Sequence, residues 1–121
     1  MPYTIQQEKE YSASVDAVVR AVLAAVAGLE GKFISQDPEK SQFNVKFDKT
    51  ILGKVLGDRT HMQISVVAFG TVSKVNVSAF PVDAVGRKLQ FGARKGVVAT
   101  VMHWFFAHLE HHLGQPAVDR K

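Results

Sequence analysis

Four of the five histidines in this 121-residue chain fall between His103 and His112, which makes that stretch the densest group of side chains able to hold a metal or move a proton. His108 and His112 stand at i and i+4, a spacing that places two imidazoles on one helix face and suits a metal. The surrounding run, His108-Leu109-Glu110-His111-His112, matches neither HExxH nor HxxEH. Zinc needs further ligands, and His61 is the sole histidine in another segment, so no metal site is expected. The pair reads instead as helix-terminal histidines bonded to backbone or water and favoured by the negative end of the dipole. A second reading makes them the polar end of an apolar cavity, with Tyr11, Val101, Trp104 and Phe105 as its other ligand-binding residues. His103 and Glu110 fall on the opposite face of the same helix, which is expected to be solvated, and His111 borders Trp104.

A second constellation is cationic. Between Ala84 and Val101 stand Arg87, Lys88, Arg94 and Lys95 with no acidic residue. They lie at or just before a helix N-terminus, where unpaired N–H groups already favour an anion such as phosphate, nucleic acid or an anionic membrane surface. Four cations without interleaved exposed aromatics or a nucleic-acid motif are more often a solvated face, so nucleic acid is the weakest of the partner readings. Other chemistry finds no foothold. There is no cysteine, which removes disulfides, thiolate sites and cysteine nucleophiles. Glycine-rich phosphate loops, a nucleophile elbow and paired carboxylates are also missing. No cofactor is implied, and the chain leans away from being an enzyme.

The elements that position these residues follow from periodicity. Tyr3 to Tyr11 alternates loosely as an edge strand, with Gln7 and Lys9 interrupting its apolar side. Ser14 is the expected N-cap of a helix with Asp16 in its first turn. Val15, Val18, Val19, Val22, Val26 and Leu29 form its apolar stripe, and Gly28 and Gly31 are expected to end it. Lys32–Asp37 and Gln42–Asp48 form a hairpin around Asp37-Pro38-Glu39-Lys40. Met62 to Ala68 and Val75 to Ala79 alternate as two more strands, the last expected to stop at Pro81. The glycine-punctuated loop Ile51 to Asp58 is either a lip over a cavity or a strand extension on the core edge. The final helix, Arg94 to Leu113, carries apolar residues from Val97 to Leu113 over roughly 200° of its circumference, about twice the width an ordinary docked helix needs. A curved sheet, a ligand or a second copy of the chain must cover the excess.

With 46% hydrophobic and 21% charged residues and a formal charge of +4, the chain is an ordinary folded protein. Its start lacks signal-peptide character, and its apolar runs are far short of the roughly 20 residues of a membrane span. A cytoplasmic protein with no membrane span is expected. One domain over 1–114 with a frayed tail over 115–121 accounts for the pattern.

The order strand, helix, four strands, helix resembles the helix-grip superfamily, the START and birch-pollen-allergen type. The resemblance rests on three segments: Tyr11-Ser12-Ala13-Ser14-Val15-Asp16-Ala17-Val18, Leu56-Gly57-Asp58-Arg59, and Gln90-Phe91-Gly92-Ala93-Arg94-Lys95. Small bacterial members of unassigned function carry similar Trp-Gly or Phe-Gly junctions at the last of these. The resemblance implies an α+β fold, a curved antiparallel sheet gripping a long C-terminal helix with a cavity between them. With no catalytic motif in place, the function expected is that of a non-catalytic binding domain for a small apolar or amphipathic ligand. The alternative is a protein-interaction or homodimer module that uses the wide apolar face of the final helix.

Overall fold

The computed structural model describes residues 4–89 and 96–118. Its elements are β1 (Ile5–Tyr11), α1 (Val15–Gly28), β2 (Lys32–Asp37), β3 (Gln42–Phe47), β4 (Thr50–Ile51), β5 (Lys54–Val55), β6 (Arg59–Phe69), β7 (Val72–Val82) and α2 (Val97–Leu113). Five strands form one curved antiparallel sheet in the order β1-β7-β6-β3-β2, and β4 and β5 make a separate hairpin. The architecture is α+β, as expected, with α2 held against the sheet.

Alternation decides which face is buried. Phe43, Val45, Phe47, Met62, Ile64, Val66, Val75, Val77 and Ala79 all point inward, and the register brings them together in cross-strand pairs such as Val45↔Met62 and Ile64↔Val77. The intervening residues are Gln, Asn, Ser and Lys on the wet face. Ser14 caps α1 by accepting from the Ala17 N–H at 3.1 Å.

The width of the apolar surface of α2 is accounted for within the chain. Val97, Val98, Val101, Met102, Phe105, Phe106 and Leu109 are buried. The sheet covers one side of the helix, and α1, whose alanines keep it slim, packs along another.

Three expectations need correction. Pro81 does not stop its strand, because β7 continues to Val82 with Pro81 opposite Thr60. The Pro81 carbonyl accepts from the Leu89 N–H at 2.9 Å. N–H and C=O of one strand residue point to the same side, so the donor that proline lacks would face away from β6 and no ladder bond is lost. The helix-ending role of the glycines is also different. The left-handed residue after α1 is Glu30, with φ +62°, and the Gly31 N–H closes back on the Val26 carbonyl at 2.9 Å. Gly31 is required for space, since a Cβ there would lie 2.7 Å from the Phe47 ring and 2.8 Å from Val26. A Cβ on Gly28 would lie 3.0 Å from His108 Nδ1.

The third concerns the tail. Residues 115–118 return along β1: the Val118 N–H donates to the Glu10 carbonyl at 2.7 Å, the Gln115 amide reaches the Ser12 carbonyl at 3.3 Å, and Ala117 packs on the core. The remaining tail, 119–121, and the expected helix start at Arg94 and Lys95 lie outside the described residues. The 51–58 loop forms most of the β4–β5 hairpin, which begins at Thr50, with Ile51 buried and Leu52 and Val55 exposed.

Candidate functional site

The seam between β1 and α2 is the place where sheet and C-terminal helix fail to close completely. Because β1 alternates, Ile5, Gln7, Lys9 and Tyr11 all project to its inner side, and two of these four are polar. Tyr11 is fully buried, and its hydroxyl donates to Glu110 Oε2 at 2.8 Å. The same carboxylate oxygen receives Lys9 Nζ at 3.3 Å. Lys9 Nζ also lies 4.7 Å from the centroid of the Phe106 ring, close enough for a cation–π contact. Glu110 is therefore turned toward β1 and is not on the solvated face expected from the helical wheel. Burial first, then the hydrogen bond to Glu110 and its negative charge, push the Tyr11 phenol well above the ordinary range for tyrosine. Tyr11 is a permanent donor at neutral pH.

Beside this cluster a cleft of about 120 Å³ opens along the seam. Ile5, Ala99, Met102 and Phe106 supply apolar lining, and Gln7, Lys9 and His103 supply polar groups. The cue in the sequence was the interruption of the apolar side of β1 by Gln7 and Lys9. Periodicity alone did not link it to His103 or Ala99 on a helix almost a hundred residues away.

The six residues expected to line one cavity stand in different settings. Val101 and Phe105 are core residues, 1% and 0% exposed. Trp104 is half-buried under the β4–β5 hairpin, with Lys54 Nζ 5.6 Å from its ring centroid. His108 is half-buried against Gly28 of α1, and His112 is exposed beside an open groove of about 320 Å³ between the two helices that includes Arg20 and Ala24. Tyr11 alone of the six adjoins the seam. No group of three or more His, Cys, Asp or Glu suited to a metal occurs among the described residues.

Of the cationic set, Arg87 is exposed and 3.6 Å from Asp83, while Lys88 Nζ sits 4.3 Å over the Phe80 ring. Arg94 and Lys95 lie outside the described residues. Phe80 also stacks on His61 at 4.9 Å between centroids, and His61 Nε2 is 3.1 Å from Asn44 Oδ1. Partial burial, then the Lys88 charge, lowers the His61 pKa, so the ring is neutral at pH 7.

Likenesses to known proteins lie in structure. No family model matches the sequence, and no curated protein is a detectable relative. Among solved structures, Ara h 8.0201 superposes with a TM-score of 0.65 over 92% of this chain and 97% of its own, at 10% identity. An uncharacterised protein from Bacillus thuringiensis gives 0.58 over 93% and 99%, at 9% identity. A protein from Chromobacterium violaceum gives 0.50 over 93% and 98%, at 12% identity. These matches cover nearly the full length of both partners, and together with the five-stranded sheet and gripped helix they establish the helix-grip fold. At these identities they establish the fold alone. Among the described residues no helix is long and apolar enough to cross a membrane.

Proposed function

We propose that the protein binds a small apolar or amphipathic molecule at the seam between β1 and α2 and performs no catalysis of its own. The observation that carries this reading is the cleft of about 120 Å³ whose apolar lining, Ile5, Met102 and Phe106, meets Gln7, Lys9 and His103. An apolar surface with a few converging polar groups is the usual composition of a small-molecule site. Its volume suits a short chain or a single ring with a polar head. Tyr11 acts as a positioning residue, because its hydrogen bond to Glu110 holds the carboxylate that in turn holds Lys9. Val101 and Phe105 belong to the packed core. Trp104, His108 and His112 take no part in this reading. Burial of much of the wide face of α2 by the chain's own sheet and α1 favours this reading over a homodimer built on that face.

Titration of the labelled protein with hexanoate, followed by amide chemical shifts, tests the proposal. Shifts should concentrate at Ile5, Gln7, Ala99 and His103. Ala99→Phe, which fills the cleft from an exposed position, should abolish them without unfolding the protein. Shifts scattered elsewhere, or unchanged binding in the variant, would remove the seam as the site.

A further inference from the structure

We propose that one end of the sheet docks on an anionic lipid bilayer, through the exposed apolar residues Leu52, Val55 and Val85 and the cations that flank them. The proposal is independent of ligand binding at the seam. The register places both connections at one end. Phe47 closes β3 opposite Thr60, and Arg59 at the start of β6 lies opposite Val82 at the close of β7. The 48–58 and 83–89 connections therefore leave the sheet on the same side.

Among the described residues, three of the six large exposed apolar side chains belong to these two connections: Leu52 at 53%, Val55 at 77% and Val85 at 73% exposure. Each is displayed by local structure that is itself well anchored. Ile51 is buried and Leu56 packs on the core, so the β4–β5 hairpin is fixed at its base while Leu52 and Val55 face water. Asp83 Oδ1 accepts from the N–H groups of Val85 and Arg87 at 3.0 and 2.9 Å, which holds Val85 outward on a tight turn.

Leu52 carries a second, independent sign. Thr50 pairs with Val55 and Ile51 with Lys54, so Leu52-Gly53 is a two-residue hairpin turn. Its φ values are +51° and +79°, the signature of a type I′ turn, whose first position favours Asn, Asp or Gly. A leucine there bears left-handed strain and leaves its side chain in water. Neither feature helps folding, and strain kept at an exposed position points to a surface function.

Charge selects the partner. The two connections and Arg59 bring Lys49, Lys54, Arg59, Arg87 and Lys88 to this end, against Asp48, Asp58, Asp83 and Glu30, whose carboxylate accepts from the Leu52 N–H at 2.7 Å. At the opposite end, where α1 begins and the β2–β3 turn lies, Asp16, Asp37 and Glu39 outnumber Lys40. The molecule is thus electrically polar along the sheet, and its positive end displays Leu52, Val55 and Val85, whereas Phe69 is the exposed apolar side chain at the turn of the other end. Apolar side chains that insert shallowly beside lysines and arginines are the combination that holds a protein on an anionic interface without spanning it. A nucleic acid would use the cations but would gain nothing from Leu52, Val55 and Val85.

Sedimentation of the full chain with vesicles of equal parts phosphatidylglycerol and phosphatidylcholine tests this. The parent should pellet with these vesicles, less with pure phosphatidylcholine, and less again in about 0.5 M NaCl, where exposed charges are screened. Leu52→Asn/Val55→Thr/Val85→Ser keeps every cation and should partition about tenfold or more weakly. Leu52→Asn alone should weaken binding while leaving the melting temperature unchanged or higher, because asparagine suits the turn. A parent that does not pellet, a triple variant that pellets equally, or a parent retained on duplex DNA but not on vesicles would each overturn the proposal.

Discussion

The hydroxyl of Tyr11 donates to Glu110 across 2.8 Å, joining the end of the first strand to the last turn of the final helix. Ninety-nine residues separate the two in sequence. Tyr11→Phe removes this bond and leaves Glu110 with Lys9 as its other partner. Because the bond is charge-assisted but Glu110 is partly solvated, urea titration should register a loss of about 1–2 kcal/mol.

The same pair sets a dependence on alkaline pH. The folded Tyr11 pKa is raised, by burial first and then by Glu110, above an unfolded value of about 10. The contribution from protonated Tyr11 is therefore complete below about pH 10 and is lost as pH rises above it toward the folded pKa. Unfolding free energy of the parent should fall more steeply above about pH 10 than that of Tyr11→Phe. Parallel curves for the two proteins would show that the phenol is not held protonated by the fold.

Phe105 occupies the middle of the apolar arc of α2 and is fully buried, edge-on to Phe106 at 5.3 Å between centroids. Phe105→Ala should cost about 3–5 kcal/mol, combining lost transfer energy and the cavity left behind. A denaturant titration giving less than about 1 kcal/mol would mean that this face is not the core.

Thr60 is fully buried on the inner face of β6, and its hydroxyl has no partner among the described residues. Thr60→Val keeps the shape and removes the unsatisfied group, so it should leave thermal stability equal or raise it by up to about 1–2 kcal/mol. A loss of that size instead would show that the hydroxyl is hydrogen-bonded in solution.

His61 provides the acid-side counterpart to Tyr11. Its folded pKa is lowered by burial and then by Lys88, so the folded state takes up its proton less readily than the unfolded chain, whose pKa is about 6.5. The stability it contributes is present above about pH 6.5 and is lost as pH falls through the folded pKa. His61→Gln should flatten the stability profile below about pH 6.5. The expected change is read from melting temperatures at matched ionic strength, with the parent declining and the variant level.

Local pattern alone determined most of the architecture. Strict alternation from Gln42 to Phe47 and from Met62 to Val66 can bury one face only as strands. Ser14 followed by valines at helical spacing can bury its stripe only as a helix. These inferences need neighbours two to four positions away, and those neighbours are written in the sequence. The helix-grip fold followed from the order of the elements. What only the tertiary structure decided concerns surfaces whose partners are distant. The crossing of α1 over α2 put His108 against Gly28 and left His112 in water, although both share one apolar arc. The position of β1 beside α2 turned Glu110 from an apparent surface residue into the acceptor for Tyr11 and Lys9. The approach of Phe47 made Gly31 a matter of space, and the side from which Leu89 approaches allowed Pro81 inside a strand. Helical and strand periods specify a direction around an axis, whereas the neighbour met in that direction depends on how whole elements cross, and no local spacing encodes that.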